Sequence, residues 1–154
     1  MKTRNQCARW RSVFVLGILL GAGAPVIAAT PRQDVLEAIQ AVENPTNTDR
    51  PGPRGELGPY QFRVSTWRMH STSPFRHALE TDAAHDVAVR HYEWIRRGLI
   101  RNGLEPSCYN IALAWNSGLS AVVRGRAPAV ARDYAQRVTN LVKDRERTRL
   151  ATAE

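Results

Sequence analysis

Residues 44–59 are the stretch that most restricts how this chain can fold. They contain four prolines and three glycines within sixteen residues. Proline breaks helical hydrogen bonding and is confined to the edges of sheets, so neither a long helix nor a central strand can cross this stretch. A loop of this length inside a compact domain is uncommon and often carries function. The sequence therefore predicts a long functional loop between two folded segments.

Helical periodicity dominates on both sides of this loop. Before it, apolar residues recur at helical spacing from about Pro31 to Glu43. Strand-like alternation is limited to residues 57–64, where the pattern leaves a short β-hairpin and a loop as alternatives. Similar periodicity predicts four helices after the loop, at 65–70, 82–101, 107–115 and from Pro128 onward. We therefore predict a mostly α domain that frays beyond Lys143, where the chain becomes a charged tail.

The first 29 residues are typical of a secretory signal peptide. A basic start precedes an uncharged run from Ser12 to Pro31, and the small residues Ala28 and Ala29 close it. An uncleaved membrane anchor is the alternative, because about 20 uncharged residues can span a bilayer. Three glycines and Pro25 within the run favour cleavage. We expect an exported, periplasmic or extracellular protein with a signal at 1–29, a domain at 30–143 and a charged tail at 144–154.

Charge and cysteine content exclude several classes of function. Removing the first 29 residues lowers the formal charge from +8 to +4, with 18 basic against 14 acidic residues. The arginines are scattered and lack a concentrated patch with aromatic platforms, so we expect no nucleic-acid binding. Cys108 is then the lone cysteine, which predicts a buried inert thiol and no internal disulfide. His70, His77, His85 and His91 lack the paired spacing of a zinc site, so no metal or cofactor is expected.

Glu43 stands out because of where it falls on the first predicted helix. At 100° per residue, it lies within the arc of about 120° that holds Val35, Leu36, Ile39 and Val42. Burying an unpaired carboxylate costs several kcal/mol, so a carboxylate on an apolar face is unusual. Either the helix has frayed and Glu43 points at water, or Glu43 has a function. The periodicity alone leaves both interpretations open.

Four segments, in order along the chain, resemble the soluble lytic transglycosylases of the lysozyme-like superfamily. The resemblance is to that family's catalytic helix end, its glycine turn, its Ala-Tyr-Asn-Ala-Gly segment and its tyrosine-containing helix. The segments are Ala41-Val42-Glu43-Asn44, Gly55-Glu56-Leu57-Gly58-Pro59-Tyr60-Gln61, Ala112-Leu113-Ala114-Trp115-Asn116-Ser117-Gly118 and Asp133-Tyr134-Ala135-Gln136-Arg137-Val138. The twelve residues from Glu43 to Gly55 match the family's interval, and Pro53 falls where a proline commonly precedes the turn. Pro59, Tyr60 and Trp115 depart from the family pattern and put subsite shape in doubt.

This resemblance implies a lysozyme-like fold and the cleavage of peptidoglycan glycan strands. Glu43 would act as general acid and then as base, while the sugar's own 6-hydroxyl attacks and leaves a 1,6-anhydro-muramoyl end. Tyr134 would hydrogen-bond Glu43 and fix its orientation, although on an amphipathic helix it could equally be a core tyrosine. Gln61 and Asn116 would line the sugar groove, with the alternative that each caps a turn or helix. Tyr60 and Trp115 would stack on sugars, and Trp115 also has the spacing of a core residue.

The sequence leaves two other functions open. A hydrolytic muramidase would need a second carboxylate, for which Glu56 or Asp49 is near enough in sequence. Glu56 would then lie in the substrate groove, whereas its alternative is a solvated position in the loop. A non-catalytic wall-binding module would keep the groove and lose the activity. The presence of Glu43 argues against that module.

Overall fold

The structure is a computed structural model that describes residues 31–152, so the predicted signal peptide lies outside the described residues. Within them the chain is mostly helical, as predicted, and forms six α-helices and one 3₁₀ helix. The elements are α1 (Pro31–Glu43), α2 (Val64–His70), a 3₁₀ helix (Phe75–Leu79), α3 (Thr81–Arg101), α4 (Cys108–Ser117), α5 (Leu119–Val123) and α6 (Ala129–Ala151). None of the helices in this part of the chain has the length and hydropathy needed to span a membrane.

Helix α4 is the centre of the packing. It makes its most extensive contact with α6, and α6 in turn packs along α1. Four consecutive residues, from Ile111 to Ala114, are buried, which indicates a helix enclosed on more than one side. The fully buried large side chains come from five helices and form one core: Leu36, Ile39, Trp67, Ile95, Leu99, Ile111 and Val138.

The predicted helices are confirmed, with boundaries shifted by a few residues. Helix α4 begins one residue late because the Ser107 side chain accepts a hydrogen bond from the Asn110 backbone N–H at 3.3 Å and caps the helix. It ends at Gly118, whose φ of +84° no longer continues a helix. The 3₁₀ helix and α5 were not predicted, because five residues are too few for a periodic pattern to show.

The hairpin alternative at 57–64 is wrong. Leu57 and Phe62 form a single antiparallel bridge, and no named strand occurs among residues 31–152. Between them the chain makes a turn in which the Gln61 N–H donates to the Gly58 carbonyl at 3.1 Å. Gly58 and Gln61 both have positive φ, +76° and +45°, so the backbone curls and cannot continue as paired strands.

The expected fraying beyond Lys143 is also wrong, because α6 continues to Ala151. Arg149 donates two hydrogen bonds to the buried carboxylate of Asp34, at 2.6 and 3.3 Å. One turn earlier, Arg145 pairs with Glu37. The charges that suggested a solvated tail therefore bind the end of α6 to the start of α1.

Cys108 lies half-buried on α4, where its Sγ accepts a hydrogen bond from Thr139 Oγ1 at 3.8 Å. Burial raises the pKa of the thiol, and the Thr139 hydrogen bond offsets this only in part. A thiol with a raised pKa is a poor nucleophile at neutral pH. This agrees with the prediction of an inert cysteine.

Candidate active site

The end of α1 is fixed by Asn44, the residue after Glu43. The Asn44 side chain accepts the Thr48 N–H and donates to the Thr48 carbonyl, both at 2.9 Å. Its amide nitrogen also reaches the Gly58 carbonyl at 3.4 Å. A 6% exposed asparagine therefore ties both ends of the proline-rich loop to the end of the helix. As a result the loop folds back beside Glu43.

Glu43 faces a cavity of about 740 Å³ that the loop, α2, α3 and α4 enclose. The Tyr134 hydroxyl, which is buried on α6, donates to Glu43 Oε1 at 2.8 Å. Glu43 is thus partly buried and held, and it does not point freely at water. The interpretation in which the helix has frayed and Glu43 points at water is therefore wrong.

Burial raises the pKa of Glu43 from 4.5 to about 7. The Tyr134 hydrogen bond lowers it, because a donor stabilises the ionised form, and the nearby Glu56 raises it. Arg137 lowers it slightly. A carboxyl group with a pKa near 7 is populated in both protonation states at neutral pH, which suits a group that gives up a proton and takes one back.

Glu56 is a second carboxylate on the cavity wall, and its side chain is 15% exposed. The Arg54 backbone N–H donates to Oε2 at 2.8 Å, and Arg63 Nε lies 3.4 Å from Oε1. Burial raises the pKa of Glu56, but these backbone and side-chain donors outweigh it, and the net pKa is lowered. Between pH 4.5 and 7, Glu56 is therefore ionised while Glu43 still largely holds its proton. Glu56 is therefore not the freely solvated loop residue that the alternative interpretation predicted.

The other residues expected in a sugar groove are also brought to this cavity. Gln61, Tyr60, Trp115 and Asn116 all line it, whereas Asp49 does not. Gln61 has a structural task as well, because its Nε2 donates to the Gly58 carbonyl at 2.9 Å and closes the turn. Asn116 is exposed near the end of α4. The loop and the end of α4 thus each contribute a wall of the cavity.

Tyr60 is more deeply buried than a stacking platform would be. It is 3% exposed, and its hydroxyl lies 3.0 Å from His85 Nδ1. Burial raises the pKa of Tyr60 to about 12, so the hydroxyl keeps its proton. Its ring centroid lies 6.1 Å from that of Trp115, which is half-buried. Trp115 is therefore a packing residue that also lines the cavity, and its stacking on sugars stays a prediction.

Sequence reasoning did not find the wall that α3 contributes. His91 and Trp94 line the cavity, with parallel rings whose centroids are 5.7 Å apart. His91 is 7% exposed, as expected for a core histidine, and its Nδ1 lies 3.0 Å from His70 Nε2. Burial, with His70 nearby, lowers the pKa of His91 to about 3, so it is neutral. The only available signal was the three-residue spacing of His91 and Trp94, which places both on one helix face.

The raised pKa of Glu43 predicts a pH-dependent cost to stability. A carboxyl group whose pKa rises from 4.5 to about 7 on folding stabilises the folded state below pH 4.5, and this contribution is lost as the pH rises through 7. We expect Glu43→Gln to raise the free energy of unfolding by up to about 3 kcal/mol at pH 9. At pH 4 the two proteins should differ little, since both side chains are neutral.

Urea unfolding of both proteins at pH 4 and pH 9 measures this difference, because the other titrating groups are common to both. Glu105→Gln is the matched control, since Glu105 is an exposed glutamate outside the cavity. A gain from Glu43→Gln that is the same at both pH values would contradict a raised pKa.

Comparison with known proteins gave no match: no family model, curated protein or solved structure corresponds to this chain.

Proposed function

We propose that this protein has a lysozyme-like fold and acts as a lytic transglycosylase on peptidoglycan. It would cleave the β-1,4 bond between N-acetylmuramic acid and N-acetylglucosamine. The observation that carries the proposal is Glu43, a carboxyl group with a pKa of about 7 that is hydrogen-bonded to Tyr134 and faces a cavity large enough for sugars. The order of the four resembling segments supports the family assignment. An exported location follows from this substrate.

In this mechanism, protonated Glu43 donates its proton to the glycosidic oxygen as the bond to the leaving sugar breaks. The positive charge that develops at the anomeric carbon is relieved when the 6-hydroxyl oxygen of the same sugar attacks it. Ionised Glu43 takes the hydroxyl proton, so that a 1,6-anhydro ring forms and no water is consumed. Tyr134 donates to Glu43 throughout and stabilises its ionised form between the two proton transfers.

Hydrolysis is the second candidate, and Glu56 is the observation that favours it. Two carboxyl groups with opposite pKa shifts on one cavity wall are the pattern of acid and base in many glycosidases. The ionised Glu56 would activate a water molecule or stabilise the positive charge while Glu43 protonates the leaving oxygen. Its bonds to Arg54 and Arg63, however, already occupy both carboxylate oxygens. This makes it a weaker base and favours the transglycosylase.

Mass spectrometry of the muropeptides released from intact sacculi distinguishes these functions. The transglycosylase predicts products one water lighter than reducing-end muropeptides, and Glu56→Gln should leave the kind of product unchanged. Reducing ends that disappear with Glu56→Gln would establish a hydrolase. Binding to sacculi without any release would instead indicate a non-catalytic wall-binding module.

A further inference from the structure

A second cavity lies beside the catalytic one, between α2 and α3. It has a volume of about 450 Å³ and shares two wall residues, Met69 and Trp94, with the catalytic cavity. Because the same two side chains line both spaces, the two cavities are neighbours on the surface of the protein. A group attached to a ligand in the catalytic cavity would need to pass only Met69 and Trp94 to reach the second cavity.

Arginines of α3 border this second cavity. Arg90 and Arg97 are seven residues apart, or about two helical turns, so they lie on one face with Trp94 between them. Arg90 is anchored, since its guanidinium donates to the His70 carbonyl at 2.8 Å. Arg97 is exposed at the other end. The two guanidinium groups make a cationic rim.

The acidic residue in this cavity does not cancel that charge. Glu93 already pairs with Arg32 at 3.0 Å and with Arg96 at 3.5 Å. The pKa of His70 is lowered, first by burial and then by Arg90 and Arg97. Glu93 thus has cationic partners of its own, and Arg90 and Arg97 are both close enough to act on a residue of the cavity wall.

Apolar surface accompanies the charge. Met69 is 52% exposed, and the half-buried Trp94 is held in place by its stacking on His91. A ligand that fits must offer anionic groups to the rim and some apolar surface to the floor. A glycan chain, which is rich in hydroxyls and poor in carboxylates, satisfies only part of this description.

We propose that the second cavity binds the stem peptide of peptidoglycan while the glycan strand occupies the catalytic cavity. This rests on the function proposed above. The stem peptide is attached to the muramic acid residue and carries free carboxylates on short, partly apolar residues. Arg97 and Arg90 would receive the carboxylates, since guanidinium groups match carboxylate geometry with two parallel hydrogen bonds. Trp94 and Met69 would contact the aliphatic parts.

The test compares initial cleavage rates on two substrates, intact glycan strands and strands from which an amidase has removed the peptides. The wild-type protein should cleave peptide-bearing strands about tenfold faster, as expected for one charge-assisted contact. Arg97→Gln should lower the rate on peptide-bearing strands to about that on stripped strands. Arg97→Lys should keep part of the preference for peptide-bearing strands, because lysine keeps the charge but cannot form two parallel hydrogen bonds to one carboxylate.

Arg101→Gln is the matched control, an exposed arginine one turn further along α3 that lies outside both cavities. It should keep the preference unchanged. Equal wild-type rates on the two substrates, or a full preference in Arg97→Gln, would overturn the stem-peptide site while leaving the transglycosylase intact. Failure of the wild-type protein to cleave either substrate would overturn both proposals.

Discussion

Replacing Glu43 by glutamine is expected to lower the rate of muropeptide release from sacculi by about a thousandfold or more. General acid–base catalysis by one group contributes on the order of 10² to 10⁴ in rate. In the proposed mechanism one carboxyl group serves both proton transfers, so we expect the upper part of that range. Glutamine fills the same volume and its carbonyl can still accept from the Tyr134 hydroxyl, which isolates the loss of the proton.

The measurement is the initial rate of release from purified sacculi at pH 5 to 9, beside the pulldown of each protein by the same sacculi. Glu43→Gln should still be pulled down, because the cavity walls are unchanged, and Glu105→Gln should match the wild type in both assays. In the wild type the rate should fall as the pH rises above 7, since the acid is lost through its own ionisation. A variant that releases muropeptides at the wild-type rate would remove Glu43 from the chemistry.

Gly58→Ala is expected to lower the free energy of unfolding by about 2–5 kcal/mol and to reduce the activity with it. A Cβ at this position would lie 1.7 Å from the Ala78 carbonyl oxygen, so the turn and the 3₁₀ helix must separate. A positive φ adds about 1–2 kcal/mol for an L-residue, and backbone displacement adds about 1–3 kcal/mol. The Gly58 carbonyl also holds Asn44 and Gln61, so its movement displaces the wall beside Glu43.

Gly55→Ala provides the control, because Gly55 has the same φ of +76° and a Cβ added there would meet no neighbouring atom within 4 Å. Gly55→Ala should lower the free energy of unfolding by about 1–2 kcal/mol, because only the positive φ is unfavourable for alanine there. Thermal unfolding followed by circular dichroism should place Gly58→Ala well below Gly55→Ala. Equal losses would show that the close approach to Ala78 relaxes freely.

Periodicity was sufficient to predict the helices, because each long helix buries a regular apolar face. Val35, Leu36 and Ile39 all reach the core, as their spacing requires. It was not sufficient for the tail beyond Lys143. There the stabilising contacts are ion pairs between residues more than a hundred positions apart, such as Arg149 and Asp34. Such pairs cannot be predicted from the local composition of the tail.

In the candidate site, too, features with a local sequence pattern could be predicted and features that depend on distant contacts could not. The apolar arc marked Glu43 as unusual but left two interpretations open, and only the resemblance chose between them. The hydrogen bond from Tyr134 that the resemblance implied is present. The position of Glu56 on the cavity wall depends on how Asn44 folds the loop back, which no periodicity encodes. The contribution of His91 and Trp94 depends on how α3 packs against α4, which is equally non-local.

The pairing of α6 with α1 has a consequence for access to long polymers. The two helices run antiparallel: Tyr134 meets Glu43, and Arg149 meets Asp34. Residue 31 and the last turn of α6 therefore lie at one end of α1, and the Glu43 carboxyl group lies at the other end, about 18 Å away along a thirteen-residue helix. A fusion partner, a surface or a resin joined at the Asp34 end of α1 would therefore be held about one helix length from Glu43, which leaves room at the cavity for a polymer longer than the protein.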